Sequence, residues 1–126
     1  MENRRRYQRI ALSLSAEAIN ASGMCRRVDL IELSQQGLAL LCDQAAIDHL
    51  EALDPVSGRA RFPVEIELRF TLTYQGETKT FNYRCRMVHK QRRSQNEYRC
   101  GFLLLETGEE ESELLTAFLE HSIDEG

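Results

Sequence analysis

A strict alternation of apolar and polar residues between 64 and 74 constrains the fold more than any other stretch of the chain. The apolar positions are Val64, Ile66, Leu68, Phe70, Leu72 and Tyr74. Polar residues occupy the positions between them, so a strand here buries one face and exposes the other. Gln75-Gly76-Glu77 follows and is a predicted hairpin connection. The stretch therefore predicts two antiparallel strands of a sheet with one buried face.

The same period of two recurs along the chain and predicts further short strands. They lie near 9–20, 24–33, 38–42, 81–87 and 98–104. In the second of these, Val28 and Leu30 share one parity while Ile31 and Leu33 share the other, which indicates either a bulge or a strand buried on both faces. The stretches 21–23, 34–37 and 91–96 are predicted turns, and Gly37 is able to take a positive φ in its turn.

One short internal helix and one C-terminal helix are predicted. Residues 45–53 carry apolar side chains on one helical face, and a loop is expected from 54 to 63. Near the end of the chain, Thr107 and Glu110 form a candidate capping box. The apolar stripe that follows at helical spacing consists of Leu114, Leu115, Phe118 and Leu119.

Six or so short antiparallel strands without βαβ alternation predict an all-β fold, a small closed or nearly closed six-stranded β-barrel with a C-terminal α-helix. A length of 126 residues fits one domain. We expect a single domain spanning 1–126, with a basic N-terminal arm at 1–9, the barrel at 10–105 and the helix at 107–123.

Composition excludes several classes of function. The net charge of −4 argues against nonspecific coating of nucleic acid, so any anion site must be local. No run approaches the ~18 apolar residues of a membrane span, and the N-terminus has no apolar signal core, so a cytoplasmic protein without a membrane span is expected. The cysteines lack CxxC spacing and are expected to be small apolar residues on strands: Cys25, Cys42, Cys85 and Cys100.

The chain contains no recognisable catalytic constellation. His49, His89 and His121 have no ligand spacing among themselves, and each is expected to be a surface or strand residue. The HExxH, GxSxG, P-loop and dinucleotide signatures are all absent from the sequence. The sequence therefore predicts a protein that is not an enzyme and has no catalytic residues, metal or cofactor.

The first basic stretch, Arg4-Arg5-Arg6-Tyr7-Gln8-Arg9, is the main candidate for a binding site. It places four guanidinium groups within six residues, directly before the first predicted strand. Guanidinium forks match phosphate oxygens and the O6/N7 edge of guanine, and their flat faces stack on bases. On these residues alone, the stretch is either an anion-binding arm or a solvated terminal segment.

Two segments together resemble the PilZ domain, the bacterial receptor family for cyclic di-GMP. The first is Arg5-x-x-x-Arg9, and the second is Glu32-Leu33-Ser34-Gln35-Gln36-Gly37. The family signatures are an RxxxR loop and a [D/N]xSxxG turn, and the order, the spacing and the strand after each signature all match. The resemblance covers nearly the whole chain, because a PilZ domain is a six-stranded barrel with a C-terminal helix.

The resemblance implies a set of ligand-binding residues. Arg5 and Arg9 would grip guanine edges and phosphates as the N-terminal loop folds over the ligand, and Ser34 and Gly37 would line one guanine. Glu32 departs from the Asp or Asn of the family, which puts its acceptor one methylene further from the backbone and its role in doubt.

The family also implies a stoichiometry. An arginine immediately before the RxxxR segment is associated with capture of a stacked, intercalated pair of ligands, so Arg4 predicts two cyclic di-GMP molecules per chain. Arg6 is a secondary candidate, because it could supply the same charge from the neighbouring position.

Three interpretations follow from the residues and the resemblance. The first is a cyclic di-GMP receptor that orders its arginine arm on binding and signals through an unidentified protein partner or through self-association as a homodimer. The second is a family member that has lost the nucleotide and binds a protein through an exposed face or edge strand. The third is an RNA-binding barrel using Arg5, Arg6, Arg9, Arg84 and Arg86, although the acidic net charge argues against a nucleic-acid polymer as partner.

Overall fold

The alternating stretch of the sequence is one strand of a closed six-stranded barrel. The computed structural model describes residues 9–52, 56–59, 62–106 and 115–117. The strands are β1 (Ile10–Ile19), β2 (Cys25–Leu33), β3 (Gly37–Cys42), β4 (Glu65–Tyr74), β5 (Glu77–Ser94) and β6 (Glu97–Glu106). All pairings are antiparallel, and the ring runs β1-β2-β3-β6-β5-β4 before β4 closes it against β1. The predicted all-β barrel is confirmed.

The β4–β5 hairpin forms as its sequence pattern predicts. Leu68 and Phe70 are 0% and 2% exposed, and the ring of Phe70 stacks on that of its cross-strand partner Phe81 at a centroid distance of 5.5 Å. The turn residues Gln75 and Gly76 have φ angles of 53° and 80°. Positive φ at both turn residues gives the hairpin a twist that matches its strands.

The predicted internal helix is confirmed as α1 (Gln44–Glu51). Asp43 caps its N-terminus, because its carboxylate accepts a hydrogen bond from the Ala46 N–H at 2.8 Å. Ile47 and Leu50 belong to the hydrophobic core, and α1 packs against β2, β3 and β6.

Of the predicted C-terminal helix, the structure describes residues 115–117, which are helical. Leu115 is 1% exposed and is part of the hydrophobic core. The predicted capping box of Thr107 and Glu110 lies outside the described residues, as does the basic arm before Arg9.

The β5–β6 hairpin differs from the prediction. β5 continues to Ser94, so the turn predicted over 91–96 contracts to Gln95-Asn96. Gln91, for example, pairs with Arg99 of β6. Polar side chains indicate exposure but do not mark the end of a strand, because the backbone of an exposed strand still pairs with its neighbour.

A β-bulge interrupts β2, as one of the two interpretations of its alternation predicted. Leu30 pairs with Leu40 of β3 and Glu32 pairs with the adjacent Ala39, so Ile31 is an extra residue on β2. A bulge turns the side chains that follow it to the other face of the sheet. Glu32 therefore faces out of the barrel, whereas uninterrupted alternation would have put it on the same face as Leu30.

A second bulge lies in β5. Met87 pairs with Phe102 of β6 and His89 pairs with the adjacent Gly101, so Val88 is the extra residue. Met87 packs against the core, whereas Val88 and His89 are exposed. This bulge turns His89 to the outer face in the same way that the first one turns Glu32.

The described cysteines all lie on strands, but they are not all buried. Cys42, Cys85 and Cys100 are buried free thiols, and Cys25 is an exposed one. Burial raises the pKa of the Cys85 thiol to about 12. Among the described residues, no group of His, Cys, Asp and Glu is placed to hold a metal ion. None of the described helices has the length and apolar character needed to cross a membrane.

Candidate nucleotide-binding site

The outer surface of the barrel carries a cavity of about 450 Å³ beside the turn that joins β2 to β3. Cavities of this size are typical of small-molecule sites. The end of β2, the turn and parts of β3, β5 and β6 surround it. The lining residues are Arg9, Glu32, Ser34, Gln36, Gly37, Leu38, Ala39, Val88, His89, Arg99, Gly101, Phe102 and Leu103.

The turn beside the cavity is held closed by hydrogen bonds between Ser34 and Gly37. The Ser34 N–H donates to the Gly37 carbonyl at 2.9 Å, and the Ser34 hydroxyl donates to the same carbonyl at 3.1 Å. The Gly37 N–H in turn donates to the Ser34 hydroxyl at 3.2 Å. With 7% of its surface exposed, Ser34 shapes the turn as well as lining the cavity.

Gly37 is required by packing and not by a positive φ, which corrects the expectation from the sequence. The described glycines with positive φ are Gly23, Gly58 and Gly76. A Cβ atom on residue 37 would lie 2.5 Å from the carbonyl oxygen of Phe102 on β6. Because that oxygen belongs to the backbone, it cannot move aside, and only glycine fits where β3 approaches β6 this closely.

Three charged side chains meet at the cavity. The Glu32 carboxylate forms an ion pair with Arg9, with 3.6 Å between Oε2 and Nε, and a hydrogen-bonded ion pair with Arg99. The side chains of Glu32 and Arg99 are 24% and 25% exposed, whereas that of Arg9 is 71% exposed. Glu32 thus holds one half-buried and one exposed guanidinium at the cavity.

The structure brings together every predicted site residue that it describes. Arg9, Glu32, Ser34 and Gly37 all line the same cavity. The other predicted site residues, at positions 4, 5 and 6, lie outside the described residues.

Arg84 and Arg86, which the RNA-binding interpretation uses, do not join this group. Both pair with Glu65 on the outside of β4 and β5, at 3.4 Å and 2.7 Å respectively. Neither lines the cavity.

Sequence reasoning missed the residues that β5 and β6 contribute to the cavity. Arg99 and Gly101 lie on the outward parity of the last predicted strand, and that parity was the available signal. His89 was expected to be an unremarkable surface or strand residue, and the Val88 bulge that turns it towards the cavity leaves no mark in the sequence pattern. His49 lies in α1 and is half-buried, with its Nε2 2.8 Å from the Ala18 carbonyl oxygen, so it is neither the surface residue nor the strand residue that the sequence predicted.

The chain belongs to the PilZ domain family, because the family profile matches residues 3–121. This confirms the resemblance seen in the sequence. No curated protein sequence gave a significant match.

Solved structures with the same fold agree with this assignment. The PilZ domain of YcgR from Escherichia coli, solved with c-di-GMP, aligns with a TM-score of 0.64 and 19% identity over 97% of this chain and 95% of that one. The inhibitor of motility MotI/DgrA from Bacillus subtilis aligns with a TM-score of 0.69 and 12% identity, over 98% of this chain and 53% of that one. The PlzA protein of Borreliella burgdorferi, in complex with c-di-GMP, aligns with a TM-score of 0.59 and 11% identity, over 99% and 55%. This chain therefore spans about half the length of the latter two.

Proposed function

We propose that this chain is a receptor for cyclic di-GMP and that the ligand binds in the cavity beside the Ser34–Gly37 turn. The observation that carries the proposal is that Arg9, Glu32, Ser34 and Gly37 line one cavity although they come from two distant segments. The PilZ domain of YcgR and the PlzA protein, which align with this chain, have both been solved with c-di-GMP.

The charges around the cavity suit this ligand. Cyclic di-GMP carries two phosphates and two guanines, and guanidinium groups recognise both. Arg9 and Arg99 are already at the cavity, and Arg4, Arg5 and Arg6 precede Arg9 by a few residues. Ser34 and Gly37 present a hydroxyl and a bare backbone to one guanine.

Glu32 has two roles in this proposal. Its carboxylate accepts hydrogen bonds from guanidinium groups and thereby positions Arg9 and Arg99 at the cavity. It also offers an acceptor to the N1–H and N2–H groups of guanine when an arginine turns towards a phosphate. The additional methylene relative to Asp gives the carboxylate the reach to serve both partners.

The proposed output is signalling and not catalysis. We propose that 1–126 acts as a single domain in the cytoplasm, that the arm folds over bound cyclic di-GMP, and that the closed form is recognised by a protein partner or a second copy of the chain. One protein of similar fold is named as an inhibitor of motility, which is consistent with a regulatory output.

Titration calorimetry with cyclic di-GMP and cyclic di-AMP tests the proposal. The two ligands share the same sugar-phosphate ring and differ in the bases, so a site that reads guanine edges separates them. We expect clear binding of cyclic di-GMP and at least about 100-fold weaker binding of cyclic di-AMP, the loss of two or so base-edge contacts. Equal affinity for the two, or binding of neither, would overturn the proposal. Salt-steep binding of single-stranded RNA would favour the RNA-binding interpretation instead.

A further inference from the structure

Gly101 lies in the middle of β6, where glycine is normally unfavourable. Glycine weakens a strand because it has no side chain to pack and loses more conformational freedom on folding than other residues. Its φ is not positive, unlike those of Gly23, Gly58 and Gly76. A Cβ atom at 101 would lie 3.4 Å from the Cβ of His89, a close but ordinary separation. Within the described chain, neither the backbone conformation nor the packing requires glycine at this position.

Gly101 is one member of a row of residues that crosses four neighbouring strands. Glu32 pairs with Ala39, Ala39 pairs with Gly101, and Gly101 pairs with His89. Because neighbouring strands lie about 4.8 Å apart, the row is about 14 Å long. All four residues line the cavity.

The polar residues at the two ends of the row face outwards because each follows a bulge. The extra residue Ile31 turns Glu32 outwards at one end, and the extra residue Val88 turns His89 outwards at the other. Bulges commonly re-aim side chains beside functional sites. Here two of them place a carboxylate and an imidazole on the same outer face, on opposite sides of Ala39 and Gly101.

The middle of the row is flat and apolar. Ala39 faces outwards, because it pairs with Glu32 and Gly101, but at 1% exposure its methyl group is already covered and offers no open surface. The bare backbone of Gly101 lies beside it. Val88 and Leu103, which are 62% and 42% exposed, add apolar surface around this floor. A flat apolar floor between two hydrogen-bonding groups matches the shape of a planar base, which is apolar on its faces and polar at its edges.

We propose that the bare backbone of Gly101, with the exposed side chains of Val88 and Leu103 around it, forms a platform for a guanine base, and that His89 donates a hydrogen bond to O6 of that base. The platform rests on the function proposed above and adds residues of β5 and β6 to the two signature segments. Glycine occupies position 101 because a side chain there would lift the base off the platform.

Gly101→Ala tests the platform with a single methyl group. The fold accommodates the added Cβ, so the melting temperature stays at the wild-type value, while cyclic di-GMP binds about 10-fold more weakly in calorimetry. Gly37→Ala is the contrasting variant, because its Cβ meets the Phe102 carbonyl oxygen and lowers the melting temperature. Thr71→Ala, on the outer face of β4 away from the cavity, is the neutral control and leaves affinity unchanged.

His89→Ala tests the polar end of the row through base selectivity. The ratio of the affinities for cyclic di-GMP and cyclic di-AMP falls about 3- to 10-fold, because a hydrogen bond to the base edge is lost while the phosphate contacts stay. A purely structural role for His89 would weaken both ligands equally and leave this ratio unchanged.

The outcomes separate this inference from the function on which it rests. A wild type that binds cyclic di-GMP, with unchanged affinity in Gly101→Ala and unchanged selectivity in His89→Ala, overturns the platform and leaves the receptor function standing. A wild type that binds no cyclic di-GMP overturns both. Should Gly101→Ala itself lower the melting temperature, His89→Ala decides alone, because an exposed side chain can be removed without unfolding the barrel.

Discussion

Two parts of the barrel wall differ in regularity. The regular wall, β4 with the first part of β5, contains ten consecutive residue pairs from Glu65↔Arg86 to Tyr74↔Glu77 without a register shift. The bulged wall, β2, β3, β6 and the second part of β5, is interrupted by extra residues at Ile31 and Val88. The cavity lies on the bulged wall.

The comparison shows what a bulge does to surface chemistry. On the regular wall, outward side chains meet their cross-strand neighbours, as in the ion pairs of Glu65 with Arg84 and Arg86 and the hydrogen bond between Thr71 and Thr80. Such pairs satisfy one another's hydrogen-bonding groups, and none of these residues lines the cavity. On the bulged wall, Glu32 also pairs with Arg9 and Arg99, but the small residues Ala39 and Gly101 separate it from His89, and the cavity lies along this row.

The largest expected effect is on stability, and it compares the buried and exposed faces of the regular wall. Leu68→Ala removes a fully buried side chain from the regular wall and should lower the free energy of unfolding by about 2–5 kcal/mol in urea denaturation. Thr71→Ala, on the exposed face of the same strand, loses only the hydrogen bond to Thr80 and should change it by at most about 1 kcal/mol. Similar losses in both variants would mean that the alternation of β4 does not report burial.

The next largest effect is on ligand affinity, and it compares an arginine at the cavity with one on the regular wall. Arg9→Ala should weaken cyclic di-GMP binding by roughly 10- to 150-fold, because a two-pronged arginine contact is worth about 1–3 kcal/mol. Arg84→Ala removes the same kind of side chain from the regular wall and should leave affinity unchanged. Calorimetry on the two variants at equal ionic strength checks both, and comparable losses would contradict the assignment of the site to the bulged wall.

A smaller effect is expected at two glutamates that each hold two arginines. Glu32→Gln keeps an acceptor oxygen but loses the ion pairs with Arg9 and Arg99, so it should weaken cyclic di-GMP binding by up to about 5-fold. Glu65→Gln loses the equivalent pairs with Arg84 and Arg86 on the regular wall and should not affect binding. Tighter binding by Glu32→Gln would show that the carboxylate competes with the ligand for the arginines.

The last and smallest expected change is in the number of ligands that each chain binds. Wild type should bind two cyclic di-GMP molecules per chain. In Arg4→Leu the ratio should fall towards one while part of the affinity is kept, because fewer guanidinium groups remain to offset the repulsion between the ligand phosphates. The Arg4→Leu/Arg6→Leu double variant is the stricter test. Calorimetry that gives one ligand per chain for wild type at saturation rules this prediction out.

How far the sequence predicts the structure differs between the walls. The period of two located all six strands, since side-chain burial on a regular strand depends only on local parity, and the parity conflict after Leu30 marked the first bulge. The second bulge and the continuation of β5 to Ser94 depend on pairing with β6, which local pattern does not record. Arg99 was missed for a related reason: its partner Glu32 is 67 residues away along the chain.

A Cβ atom at position 37 would lie 2.5 Å from the Phe102 carbonyl oxygen, and this has a consequence for comparing relatives of this chain. A relative that no longer bound nucleotide would still be selected to keep glycine there, because any side chain would push β3 away from β6 and destabilise the barrel. At position 101, selection for glycine would end when the ligand is lost, and other residues would replace the glycine by drift. Glycine at position 37 is therefore evidence of the fold alone, whereas glycine retained at position 101 would be evidence that the site still binds a ligand.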